Sequence, residues 1–153
     1  LEAILRAFPN KPFSIEIKQY KPSIVDQVLA VLDATGMTDK VLVASFDDDT
    51  IREVRAKRPK LLTSFASGEM IKFLMLKEEE LGDYQPPAKV LQSPFESTTA
   101  ERIRIANRLG IRVHVWTVDD GDDQKNQWKL GVHGVMSDDP VLLKSVTPTD
   151  KGL

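Results

Sequence analysis

Phe13-Ser14-Ile15-Glu16-Ile17-Lys18 is the stretch on which the fold turns. Side chains alternate across a strand, so Ile15 and Ile17 share one face while Ser14, Glu16 and Lys18 share the other. The first face packs against helices; in a parallel sheet the second is expected to be buried as well. Two charges at the C-terminal end of a strand stand where barrel and open-sheet sites are built, because the loops above that edge form the pocket. An ion pair at a strand end, or a charged edge strand that discourages aggregation, accounts for the same residues without a site.

Outward from this strand, short apolar runs and amphipathic stretches alternate, the signature of successive βα units around a parallel sheet. Before it, Leu1, Ile4, Leu5 and Phe8 have the spacing of one helical face, stopped by Pro9. A chain that opens inside a helix is expected to be cut from something longer. After it, Pro22 and Ser23 start a helix that runs to Gly36, and 41–46 is a nearly continuous apolar strand. Asp47, Asp48 and Asp49 then open a helix ended by Pro59, their carboxylates favouring the positive end of its dipole. Strands are predicted at 61–65, 90–93, 111–118 and 134–137, and helices at 69–80, 101–109 and 119–130, with a last short helix from Pro140 through Lys144. Thr98 or Thr99 caps the 101–109 helix, Asp138 caps the last one, and 82–89 is a loop. No linker splits the chain, so 1–146 is expected to be one domain with 147–153 as a tail. Six βα units fit an open doubly wound sheet or most of an eight-stranded barrel. A full barrel takes about 250 residues.

Composition narrows the function classes. The 153 residues hold 21 Lys and Arg against 23 Asp and Glu, a net charge of −2, which is no nucleic-acid footprint. With 41% apolar and 29% charged residues the chain is expected to fold, burying roughly 70% of its unfolded surface. No apolar run approaches a membrane span, so the chain reads as soluble, with the cytoplasm favoured. Zero Cys excludes disulfides, thiolate nucleophiles and Cys-based zinc sites, and two His are a poor supply for acid/base chemistry. No Gly-rich phosphate loop follows any strand, which argues against a nucleotide-binding Rossmann fold.

Four segments in order carry a resemblance. They are Ile15-Glu16-Ile17-Lys18, Ala44-Ser45-Phe46-Asp47, Val115-Trp116-Thr117-Val118, and Gly131-Val132-His133-Gly134-Val135-Met136-Ser137-Asp138-Asp139-Pro140. Together, with helices of fitting length between them, they resemble the glycerophosphodiester phosphodiesterase family over essentially the whole chain. The resemblance implies an α/β fold, a (β/α)8 TIM-type barrel of which this chain covers about six of the eight βα units. It implies hydrolysis of glycerophosphodiesters to sn-glycerol 3-phosphate and an alcohol, assisted by a divalent cation, Ca²⁺ or Mg²⁺. By the same resemblance Glu16 is a metal ligand, Lys18 lies near the phosphate and Trp116 stands at the pocket rim. The partner is a small-molecule glycerophosphodiester.

The family's acid/base His pair and its other carboxylates are expected upstream of Leu1, so this polypeptide alone is expected to be inactive. His114 and His133 do not replace them: one lies deeper on the Trp116 strand, the other in the turn before the last strand. Physical reasoning agrees. Cleaving an anionic phosphodiester needs a cation, a base and an acid on the leaving oxygen. A hard cation takes six or more oxygens, and Glu16 offers only one carboxylate. Ser45 could donate into the pocket or be a small packing residue, and Gln92 points toward the same rim. Trp116 is expected on the lumen side, since Val113, Val115 and Thr117 supply the helix-facing side. The Asp-rich runs lack EF-hand spacing and read as helix starts. Two other readings remain open: a family-like binding or structural module without catalysis, and an unrelated barrel enzyme in which Lys18 forms a Schiff base. Unpaired barrel edges predict a homo-oligomer or aggregation for the isolated chain.

Overall fold

The computed structural model of the chain describes residues 1–149. Two compact units divide it, Leu1–Glu69 and a second from Met70 onward. The last residues of the expected 147–153 tail, 150–153, lie outside the described residues.

The first unit runs α1 (Glu2–Ala7), β1 (Phe13–Glu16), α2 (Val25–Thr35), β2 (Val41–Ala44), α3 (Asp48–Lys57) and β3 (Leu62–Thr63), and α4 (Ser67–Leu74) begins in it. Its three strands are parallel in the order β1-β2-β3. Phe13 faces Val41 and Glu16 faces Ala44, while Leu42 faces Leu62. The helix-facing side is the core: Ile17, Val41 and Val43 pack with Val25, Val28, Leu29 and Leu32 of α2, Val54 of α3 and Leu5 of α1. Burying each such side chain contributes roughly 1.5–3 kcal/mol.

The continuous apolar run of β2 is buried along its whole length. β1 departs from expectation, because its second face is open: Ser14 and Glu16 are exposed. β1 is an edge strand of its sheet, and polar side chains on that face tolerate the exposure.

Local chemistry sets the helix ends. Gly36 follows α2 with φ of 65°, a left-handed conformation that costs glycine nothing. Asp47 caps α3, its Oδ2 accepting from the Thr50 amide at 2.8 Å and the Thr50 hydroxyl at 2.7 Å. These bonds, the hydroxyl's first, hold the Asp47 carboxyl below the usual carboxylate range. α2 starts at Val25, two residues past Ser23, whose hydroxyl accepts from the Val25 amide at 3.3 Å. β3 is only two residues long, and side chains secure the loop after it. Arg55 of α3 donates to Thr63 Oγ1 at 2.9 Å and to the Ser64 carbonyl at 3.0 Å, and forks onto the Glu69 carboxylate.

The second unit holds β4 (Val90–Pro94), α5 (Ala100–Arg108), β5 (Arg112–Trp116), α6 (Gly121–Leu130), β6 (Gly134–Val135) and α7 (Pro140–Val146). Its strands are parallel in the order β4-β5-β6. Three expectations are corrected here. The 69–80 helix ends at Leu74, and Glu78–Glu80 forms a separate single turn. Three consecutive carboxylates oppose the negative end of a helix dipole, and Glu80 instead accepts the Lys77 amide at 2.8 Å. Asp139, not Asp138, caps α7: its Oδ1 accepts from the Val141 and Leu142 amides at 3.1 and 2.9 Å. Beyond β5, Thr117 is exposed and Val118 takes the buried side, so the alternation expected through 118 ends with the strand at Trp116. Thr99 caps α5, accepting from the Arg102 amide. The 82–89 loop is pinned by Tyr84, whose ring lies 6.4 Å from that of Phe73.

Candidate functional site

In the first unit the strand ends carry charge. Glu16 is the last residue of β1, and Lys18 follows two positions on. The Lys18 Nζ donates to Glu16 Oε2 at 2.8 Å, with the Glu16 side chain 29% exposed and that of Lys18 76% exposed. A pair so open to solvent adds about 0–1 kcal/mol to stability. Its electrostatic capacity is therefore available to a ligand.

Ser45 lies just past β2. Of its two readings, a donor into the pocket or a small packing residue, the geometry matches the second: it is only 4% exposed and its hydroxyl donates to the Ile17 carbonyl at 2.8 Å. The same oxygen accepts the Asp47 amide at 3.2 Å. A hydroxyl has one proton to give, and this one is spent inside the fold. The sequence shows a small polar residue at a strand end; it does not show which way the hydroxyl turns.

Sequence reasoning read Asp48 only as a helix start and Phe46 only as part of a segment, and gave Tyr20 no role. Tyr20 and Phe46 stand past the C-terminal ends of β1 and β2 and are exposed aromatics. Asp48 accepts the Gly68 amide at 3.0 Å, and a Cβ on Gly68 would lie 2.8 Å from its Oδ1, so only glycine lets the start of α4 approach so closely. An aromatic just past an apolar strand was the available signal for Phe46; Tyr20, beyond Lys18 and Gln19, offered none.

In the second unit the corresponding residues are neutral. Gln92 of β4 faces His114 of β5, which faces Gly134 of β6, and Pro94 faces Trp116 at the strand ends. Gln92, His114 and Trp116 are half-buried on one face, while Val113 and Val115 are buried on the other. Trp116 thus stands on the side opposite Val113 and Val115, as read from the alternation. The His114 ring lies across Gly134, where a Cβ would come within 2.8 Å of its Cδ2. Burial, and then the charges of Arg112 and His133, lower its pKa from 6.5 to about 4, so it is a neutral imidazole near pH 7. His133 Nδ1 accepts the Val113 amide at 3.1 Å, a backbone-holding role. Above this rim Gln124, fully buried on α6, donates to the Val118 carbonyl and to Ser137 Oγ, which donates to Asp119. Asp120 caps α6 through the amides of Asp122 and Asp123. The acidic runs are thus engaged at helix starts.

Divalent cations are a separate test. Among the described residues no group of three or more His, Asp or Glu is placed to hold a metal ion. Glu16 offers one carboxylate, with the Lys18 ammonium on one of its oxygens. A hard cation asks for six to eight oxygens at Ca²⁺, or near-ideal octahedral geometry at Mg²⁺. These residues by themselves do not fit one. No helix among the described residues is long and apolar enough to cross a membrane.

Comparison with known proteins gives the family and the fold it resembles. The chain is 25% identical over 158 aligned residues to the curated "Probable glycerophosphodiester phosphodiesterase 2" of Mycobacterium tuberculosis, covering 95% of this chain and 58% of that protein. Its structure is similar to the glycerophosphodiester phosphodiesterase of Agrobacterium tumefaciens C58, with a TM-score of 0.74 at 17% identity, over 95% of this chain and 60% of that one. It is also similar to an Oleispira antarctica phosphodiesterase solved in complex with the product sn-glycerol-3-phosphate, with a TM-score of 0.63 at 17% identity, over 80% of this chain and 48% of that one. The structural likenesses are of fold, and they imply a TIM-barrel fold. The chain spans somewhat over half the length of the curated relatives it matches. The sequence model of one family, described as the glycerophosphoryl diester phosphodiesterase family, matches residues 2–142. With parallel βα units and a match over nearly its whole length, this chain belongs to the glycerophosphoryl diester phosphodiesterase family.

Proposed function

We propose that this chain forms about six of the eight βα units of a TIM-type barrel, residues 1–146 with 147–153 as a tail, and that the complete barrel hydrolyses glycerophosphodiesters to sn-glycerol 3-phosphate and an alcohol. The observation that carries the reading is the Glu16–Lys18 pair at the C-terminal end of β1, 2.8 Å apart, in a chain the family matches over residues 2–142. The product complex of the Oleispira antarctica protein supports a small glycerol phosphate ligand for this fold. In this reading Lys18 faces the phosphate, where its ammonium offsets anionic charge. In the second unit, Gln92 and Trp116 are the residues read as substrate contacts.

Glu16 is then one ligand of a divalent cation, Ca²⁺ or Mg²⁺, whose remaining ligands lie beyond these 153 residues. By the family likeness the proton-transfer pair lies there too; of this chain's own histidines, His133 Nδ1 is taken by the Val113 amide and His114, with its pKa lowered to about 4, is a weak base. The 76% exposure of Lys18 speaks against the Schiff-base alternative, which relies on a desolvated amine. The test uses the full-length protein with glycerophosphocholine and either cation. Release of sn-glycerol 3-phosphate that stops on chelation is expected. No turnover of any glycerophosphodiester would leave a binding or structural module as the better account.

A further inference from the structure

We infer that Ser45 is a positioning residue for Lys18, holding the peptide from which Lys18 departs; the inference rests on reading Lys18 as the phosphate contact. In a parallel pair the backbone bonds are evenly spaced along the strands. The Ile17 amide donates to the Ala44 carbonyl at 2.8 Å. The next acceptor along β1, the Ile17 carbonyl, receives the Ser45 hydroxyl at 2.8 Å, so a side chain serves as a rung where the strands part. Because Ser45 Oγ also accepts the Asp47 amide at 3.2 Å, this rung is anchored to the residue that caps α3.

The carbonyl so held belongs to the peptide joining Ile17 to Lys18. Fixing that plane fixes the direction in which the Lys18 stem leaves, on the Glu16 side, where its ammonium lies 2.8 Å from the carboxylate. The rest of Lys18 is not confined: its side chain is 76% exposed and carries a flexible four-carbon stem. Ser45, 4% exposed and with its proton spent, reaches no ligand itself. Its effect on a reaction passes through Lys18.

A double-mutant comparison in the full-length enzyme decides it, with glycerophosphocholine as substrate and thermal melts of every variant. Ser45→Ala is expected to lower kcat/KM about tenfold, and Ser45→Thr, which keeps a hydroxyl, to restore it to within about threefold. In a Lys18→Ala background, Ser45→Ala is expected to cost almost nothing further, because there is no ammonium left to place. Unchanged activity in Ser45→Ala, or the same tenfold loss with and without Lys18, overturns the inference. If Ser45→Ala does not fold, Ser45→Cys takes its place with the same non-additivity required. Full activity in Lys18→Ala would instead sink the assignment of Lys18 to phosphate.

Discussion

The two three-stranded parallel sheets share a design and differ in what they offer at their C-terminal edges. The sheet of β1, β2 and β3 presents opposite charges, Glu16 and Lys18, from an exposed edge strand. The sheet of β4, β5 and β6 presents Trp116 at that edge, with Gln92 and His114 deeper on the same face, all half-buried and uncharged near pH 7. The same βα repeat thus supplies an electrostatic rim in one unit and a shaped rim in the other. Charge tolerates exposure because its cost is desolvation, whereas ring contact gains from being partly enclosed.

That contrast predicts different signatures on damage. The largest belongs to the charged rim: Glu16→Gln in the full-length enzyme is expected to lower kcat by about 100-fold or more, as loss of one preorganised electrostatic group does. Its melting temperature should hardly move, since the exposed pair adds little stability. Steady-state kinetics beside a thermal melt checks both, and wild-type turnover would remove Glu16 from the site. Trp116→Ala should act in the opposite sense, raising KM about tenfold with kcat within about threefold, as loss of uniform binding does. A pure kcat defect would mean that the second rim is more than shape.

His114 gives the smallest effect, one read in stability. Its folded pKa of about 4 lies below the ordinary 6.5, so the unfolded chain takes up a proton first as pH falls. Its contribution is therefore complete above about pH 6.5 and is lost progressively toward pH 4, amounting to no more than about 3 kcal/mol. Urea midpoints at pH 7 and pH 4.5, compared between wild type and His114→Gln, should show the smaller pH dependence in the variant. Equal slopes would mean that the imidazole titrates freely in the fold.

Much of the architecture was legible because it rests on local rules. The apolar run of β2, the glycine after α2, the Asp cap of α3 and the Val113/Val115 face opposite Trp116 all follow from period, turn chemistry or dipole. The site was legible in residue type and less so in contact. Glu16 and Lys18 do meet, but the openness of their face depends on what flanks an edge strand, and a strand pattern does not carry that information. The alternation that places Trp116 opposite Val113 and Val115 says nothing of where β5 stops, so Thr117 was misplaced. Choosing Asp138 over Asp139 as the α7 cap failed for a similar reason. Adjacent carboxylates are equivalent in sequence, and only backbone direction separates the one that reaches the helix amides from the one whose own amide is held by Asp119.

The guanidinium of Arg55 decides how stiff the turn between β3 and α4 can be. Because it grips Thr63, Ser64 and Glu69 at once, the short crossover after β3 takes its shape from one planar fork. The Glu69 carboxylate it holds also accepts the Ala66 amide at 2.9 Å, and Phe65 and Ala66 are buried, so lysine at position 55, whose single ammonium cannot span three separated acceptors, would loosen the turn into α4 as a whole.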